Sequence, residues 1–339
     1  MAHPLYLSLP ALQLPSTRRT NDDIVALVRE NFKGDDAQWR RVERTMRFVF
    51  NTCGTVVRHV QVDERYAAGM HASNVARSLL EEQGVAVNAL DSVTYSSIVR
   101  EYFEPSVATE IAWRLGVVQA ACYDVVSACA GPLVAIETLR GRAAIDPSWT
   151  QGLVSTASLS EGFIGFDIQS IADLDQLAAG LTIGNGATAM LVGRTAYARG
   201  GRIVGSYSEG YPQHHPLCRA PVFGVFRSAG SALFALAELV PDHVRRACAR
   251  FGWTVDDVDV FVSHQPSDRI LREVAQALGV PASRVPQLHS IYANTEASAV
   301  PIALRHLVDD GTIKPGMKLL LNSAAAGFTL ASVGVVWEG

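Results

Sequence analysis

Strand-length apolar runs alternate with stretches of helical period along most of this chain, and that alternation most constrains its fold. The run Ala120-Ala121-Cys122-Tyr123-Asp124-Val125-Val126 leads into Ser127-Ala128-Cys129-Ala130-Gly131-Pro132, after which Leu133, Ile136 and Leu139 recur at helical spacing. Small residues and a first-turn proline suit a tight strand-to-helix junction. Leu181–Arg194 reads as a strand with a glycine break, and Gly200-Gly201 as the turn after it. A second cycle runs from the strand Val258–Val262 through Ser263-His264-Gln265-Pro266 into a helix capped by Ser267 or Asp268, carrying Ile270, Leu271, Val274 and Leu278. Asn294 precedes another helix (Ala297, Val300, Leu304, Leu307), and Lys318–Asn322 and Leu330–Val336 read as closing strands. The pattern predicts an α/β protein with chemistry-bearing residues just past strand ends, where ligand sites of open α/β sheets lie.

Charge and composition exclude several classes of function. Lysine and arginine total 29 against 33 acidic residues, a net charge of −4 with no basic block, so nucleic acid has no electrostatic foothold. No run approaches the ~20 apolar residues of a spanning helix, so membrane insertion is not expected. Met1-Ala2-His3-Pro4-Leu5 lacks the order of a secretory signal, and a cytoplasmic protein is expected. The five cysteines are scattered and without a CxxC pair, which suits neither a disulfide framework nor a zinc site. His214-His215-Pro216-Leu217-Cys218 lacks a second ligand pair and reads as a loop, so no metal is expected.

Three residues stand where chemistry could occur. Cys129 lies at a helix start, where unpaired N–H groups and the helix dipole favour thiolate; equally, a cysteine among alanines and glycines serves as a small buried hydrophobe. His264 follows a buried-type strand and is either a working imidazole or one satisfied locally. Asn294 is either a carboxamide donor or a helix cap.

Taken together, Ser127-Ala128-Cys129-Ala130-Gly131, His264-Gln265 with Arg269, and Asn294-Thr295 followed by Ser298-Ala299-Val300-Pro301 resemble β-ketoacyl-acyl-carrier-protein synthase III, of the thiolase-like superfamily. Ile313-Lys314-Pro315-Gly316 and Gly327-Phe328-Thr329 are similar to that family's tail. The resemblance implies two pseudo-duplicated α/β halves, 1–198 and 199–339, in a five-layer α-β-α-β-α sandwich, and a homodimer. It implies an acyl group carried on Cys129, with His264 and Asn294 donating to the second thioester and backbone N–H groups of Cys129, Ala326 and Gly327 forming an oxyanion hole. No cofactor is implied, since acyl groups arrive as thioesters of coenzyme A or of an acyl carrier protein. Ser267 and Arg269 would meet the pantetheine arm or its carrier.

Three departures narrow the expectation. The Trp and Arg with which housekeeping members clamp the coenzyme A adenine have no clean counterpart in Phe50-Asn51-Thr52-Cys53-Gly54-Thr55, with Trp39 upstream and out of register, which favours a carrier protein as the donor. Ser267 stands where the family has an asparagine that contacts pantetheine. Glu104, in Tyr102-Phe103-Glu104-Pro105-Ser106, stands where the initiating synthases carry an apolar aromatic on a loop that reaches into the partner's acyl channel. Such a glutamate resembles the head-to-head condensing enzymes of the olefin pathway and the α-pyrone- and dialkylresorcinol-forming ketosynthases of specialised metabolism. There a base removes an α-proton where decarboxylation would otherwise generate the carbanion. The sequence therefore predicts a Claisen-type condensation of two thioesters with Glu104 acting across a dimer. Alternatives are decarboxylative synthesis from malonyl carrier protein, acyl transfer to oxygen or nitrogen, and a non-catalytic role in a heterodimer.

Overall fold

The computed structural model describes residues 4–62, 67–230 and 237–339; Met1, Ala2 and His3 of the N-terminal reading lie outside the described residues. The strands are β1 (Leu5–Ser8), β2 (Ala11–Gln13), β3 (Arg18–Thr20), β4 (Val57–His59), β5 (Ser92–Tyr95), β6 (Ala121–Asp124) and β7 (Gln151–Ser158). They continue with β8 (Gly186–Gly193), β9 (Gly200–Gly210), β10 (Cys218–Arg219), β11 (Arg227–Ser228), β12 (Val260–Ser263), β13 (Lys318–Ala325) and β14 (Thr329–Trp337). Among the described residues, ten strands form one mixed sheet ordered β12-β13-β14-β9-β1-β8-β7-β5-β6, with β2 pairing β8 off this path.

A duplication invisible as repeated text is plain in the pairing. On one side β1 runs antiparallel to β8, β8 antiparallel to β7, and β7 parallel to β5. On the other, β9 runs antiparallel to β14, β14 antiparallel to β13, and β13 parallel to β12. The two series meet where β1 pairs antiparallel with β9.

Alternation along these strands builds the layers. Leu153, Ala157, Ala189 and Leu191 pack outward with the helices Ala68–Gln83 and Val107–Leu115. Val154, Met190 and Val192 face inward, onto the helices Gly131–Ile145 and Ala299–Asp309. Val260, Val262, Leu319, Leu321, Val333 and Val335 cover the same two helices from the other half. Phe261, Leu320 and Leu330 face outward onto the helices Leu239–Arg250 and Asp268–Leu278. The result is helix, sheet, helix, sheet, helix. Each fully buried Leu, Val or Ile in these faces contributes about 1.5–3 kcal/mol relative to exposure.

The helix Asp36–Cys53 packs on Asn21–Asn31 and, through Trp39, Met46 and Phe50, on Ile168, Leu174 and Leu181. It forms a lid of apolar side chains over the end of the sheet where the chemistry-bearing junctions lie.

One expectation fails in an instructive way. Gly200 and Gly201 do not form a turn; they open β9, wedged between β1 and β14. A Cβ on Gly201 would sit 2.6 Å from the carbonyl oxygen of Val336, which is backbone and cannot step aside. Gly141 lies inside the helix Gly131–Ile145 with nothing beyond its chain neighbours and the helix's own backbone within 4 Å of where a Cβ would be. Gly201→Ala should therefore cost about 2 kcal/mol or more through overpacking, whereas Gly141→Ala should gain about 0.5–1 kcal/mol from helix propensity. Urea unfolding midpoints of the two variants check this; equal effects would contradict the packing described.

Candidate active site

Cys129 lies in a 3-10 turn, Ala128–Ala130, between β6 and the helix Gly131–Ile145. The turn is set by crowding. Ala128 has φ +44°, and a Cβ on Gly131 would overlap the Ser96 hydroxyl, which donates to Val125 O at 2.8 Å. Asp124, at the end of β6, accepts the N–H groups of Val107 and Ala108 (3.1 and 3.0 Å), tying the Cys129 junction to the helix that follows the Glu104 loop.

His264 follows β12, its N–H donating to Asn322 O at 2.9 Å. Gln265 clamps the next step: its carboxamide donates to Ser263 O and Pro286 O and accepts from Leu288 N–H at 2.8 Å. Asn294 is carried in by short bridges, its N–H donating to Thr182 O and its carbonyl accepting from Gly184 N–H. It forms no ordinary helix cap. Its Oδ1 accepts the Glu296 N–H at 3.0 Å, which leaves both Nδ2 protons without a partner among the described residues.

These side chains share one cavity. Cys129, His264 and Asn294 line a space of about 560 Å³ with Ser267, Ala326 and Glu296, walled by apolar residues including Val49, Ile98 and Phe328. Gly327, at φ +130°, borders an adjoining space together with Ala326. Ser267 caps the helix Asp268–Leu278 by accepting the Ile270 N–H at 3.1 Å. Arg269 lies outside the cavity lining and pairs with Glu273 on the surface. Glu104 is exposed and does not line this cavity within its own chain.

Burial governs the ionisation states. His264 is driven down to about 3 by desolvation, with the nearby His289 adding to the effect. It is a neutral imidazole, and its buried Nδ1 has no partner among the described residues. A proton on Nε2 then avoids stranding a buried N–H and offers a donor to the cavity. The expected thiolate at Cys129 is not the resting form: burial, then the Glu296 carboxyl and Cys218, push its thiol well above the usual cysteine range. The helix terminus is present but is outweighed by loss of water.

Glu296 had not been singled out from the sequence. It is 9 % exposed, sits at φ +51°, accepts the Ser160 hydroxyl at 2.6 Å, and is raised by burial to about 7. The available signal was a lone acid in the otherwise small and apolar stretch Asn294–Pro301. His289 was missed as well; it is buried, bridging Thr55 Oγ1 and Gln265 O at 2.8 and 2.9 Å.

With this geometry in hand, comparison with known proteins is decisive. Residues 248–337 match the family described as 3-oxoacyl-[acyl-carrier-protein] synthase III C terminal. The chain is 30 % identical over 331 residues to β-ketoacyl-[acyl-carrier-protein] synthase III of Bordetella petrii, covering 94 % of each. The chain belongs to the β-ketoacyl-acyl-carrier-protein synthase III family. A Streptomyces coelicolor synthase III is 32 % identical over 238 residues, 69 % of each chain. The fold matches synthase III (FabH) of Pseudomonas aeruginosa with TM-score 0.83 and 24 % identity, covering 99 % of each. It also matches Xanthomonas campestris OleA, solved with lauric acid and lauroyl-CoA, with TM-score 0.88 and 19 % identity over 99 % and 100 % of the two chains. This synthase III relative is thus an acyl-transferring condensing enzyme with the thiolase-like fold. No helix among the described residues is long and apolar enough to cross a membrane.

The neutral state of His289 has a measurable consequence. Its folded value, about 4 because of burial, lies below the ordinary 6.5. Between those values the unfolded chain binds more protons, so this group's contribution to stability is full above pH 6.5 and is lost as pH falls toward 4. Glu296, raised in the fold, acts with opposite sign between about 4.5 and 7. Comparing variants isolates the imidazole: His289→Gln should flatten the stability–pH slope between pH 4.5 and 6.5 by up to about 1.4 kcal/mol per pH unit. Urea titrations at several pH values measure it; an unchanged slope would contradict a buried neutral His289.

Proposed function

We propose that this enzyme loads an acyl group on Cys129 and joins it to a second acyl or β-ketoacyl thioester by Claisen-type condensation, with Glu104 of a partner subunit as the base. The observation that carries the reading is the single apolar-walled cavity onto which Cys129, His264 and Asn294 all open. A thiol there exchanges one thioester for another at little free-energy cost and needs no cofactor. His264 Nε2–H and the Asn294 carboxamide are two donors for a thioester oxygen, and such donors stabilise the enolate by which the second substrate becomes a carbon nucleophile. Amides of Cys129, Ala326 and Gly327 would hold the oxyanion of the loading step. An Asn294 with free amide protons favours carbon–carbon bond formation over transfer to an oxygen or nitrogen acceptor.

The division at 198/199 then assigns the nucleophile to the first half and both donors to the second. A second copy covering this loop would bury Phe103, which is 74 % exposed beside Glu104. From there Glu104 would enter the partner's acyl channel and accept an α-proton. Ser267 lines the cavity and would meet a pantetheine arm, and Arg269, on the surface beside Glu273, would meet the acidic face of a carrier protein.

A second reading, decarboxylative condensation with malonyl carrier protein, is favoured by the relatives named β-ketoacyl-[acyl-carrier-protein] synthase III. The two separate on one variant and one gas. Glu104→Gln should leave acyl loading intact and lower coupled product by about 10²-fold or more, as loss of a general base does. Carboxyl-labelled malonyl carrier protein should release no labelled carbon dioxide during condensation. Normal turnover of Glu104→Gln together with carbon dioxide release would replace the first reading with the second.

A further inference from the structure

We propose that Glu296 is a catalytic acid–base group of this site, taking the Cys129 thiol proton as the sulfur attacks the incoming thioester and passing it to the departing thiolate. The proposal rests on Cys129 being the nucleophile. In this step the Cys129 S–C bond forms and the donor's C–S bond breaks. The electron pair leaves on the donor sulfur, which receives the proton, and Glu296 ends as the carboxylate it began as.

Geometry carries the assignment. The turn Glu296–Ser298 packs directly on the turn Ala128–Ala130, and Glu296 and Cys129 line the same cavity. Oε2 of Glu296 is taken by the Ser160 hydroxyl at 2.6 Å, while Oε1 has no partner among the described residues. A half-satisfied, almost fully buried carboxyl is expensive, and the left-handed backbone at Glu296 adds about 1–3 kcal/mol of strain. A residue serving only to fill space would be apolar and relaxed. The Asn294 side chain holds the strained step through the Glu296 N–H, so the enolate donor and the acid are set by one loop.

No fixed cation among the described residues pairs with Glu296. Of the elements packed against its turn, β7 and β8 carry no titratable side chain, and the Ala128–Ala130 turn presents Cys129. In the helix Gly131–Ile145, Glu137 engages Ser208, Arg140 engages Ser206, and Arg142 lies toward Tyr123 and Asp146. In Ala299–Asp309, Arg305 pairs with Asp309 and Glu82, and His306 meets the Tyr292 hydroxyl. Around the cavity, Cys53 and Cys218 are thiols pushed up to about 11 by burial, and Asp175 is exposed. His264, at about 3, is a poor proton acceptor; Glu296, at about 7, is suited to both taking and returning a proton near neutrality.

The test is the rate of single-turnover acylation by lauroyl-CoA, read as a mass increase on the intact protein from pH 5.5 to 9. The wild-type rate should rise through an inflection near pH 7. Glu296→Gln, which keeps an acceptor for Ser160, should load about 10²-fold more slowly at pH 7.5 and lose that inflection; Glu296→Asp should retain it at a reduced rate. Thermal unfolding of each variant monitors the fold. A Glu296→Gln enzyme that keeps the inflection, at whatever rate, overturns the proposal while leaving Cys129 as nucleophile. An adduct that survives Cys129→Ser overturns the nucleophile reading, and the proposal with it.

Discussion

Loss of water from one small space is the constraint on which this structure depends. A thiol, an imidazole and a carboxyl all lie in a cavity whose walls are Val49, Ile98, Phe328 and similar residues. In bulk water these groups would hold their ordinary charges; here burial moves His264 and His289 down and Cys129 and Glu296 up. Each shift disfavours the charged form, so near neutral pH the thiol and both imidazoles rest uncharged and Glu296, at about 7, is the group that is partly ionised. This low charge lets acyl chains enter. It also leaves the Cys129 proton to be moved during loading, since burial favours the thiol over the thiolate.

The architecture supplies this space by repetition. Two half-sheets with the same pairing order, β1-β8-β7-β5 and β9-β14-β13-β12, cover two inner helices, and one junction from each half ends at the cavity. Close approach there is costly to the backbone. The three non-glycine residues with positive φ among the described residues are Ala128, Ala293 and Glu296, each beside or within the site. Each lies in a region that costs about 1–3 kcal/mol, and packed layers on both sides hold it in place. Strain concentrated at these positions belongs to the orientation of Cys129 and Asn294.

How much of this was legible in the sequence depends on the range of the interaction. Cys129, His264 and Asn294 stand at local strand- or turn-to-helix junctions that make them candidates, but each position also admits a purely structural role, and their combined resemblance to the synthase III family selects the chemical one. The helix-capping role of Ser267 was legible from its junction. Gly200 and Gly201 were misread because what crowds them, the backbone of Leu7 and Val336, is far away in the chain. The ionisation of Cys129 was misread in the same manner: the helix terminus is local, whereas the desolvating walls come from Ala324, Phe328 and the lid helix. Glu296 carried no local signal of its burial, because its partner, Ser160, is 136 residues away.

The central claim is that chemistry at this cavity begins on one particular sulfur. Three cysteines, Cys53, Cys129 and Cys218, line the same space, so the claim can be tested directly on the unmodified enzyme. Incubation with a carbon-13-labelled fatty acyl thioester, digestion, and peptide sequencing by mass spectrometry should place the acyl group on Cys129 alone. Label on Cys53 or Cys218 with Cys129 unmodified would contradict the account.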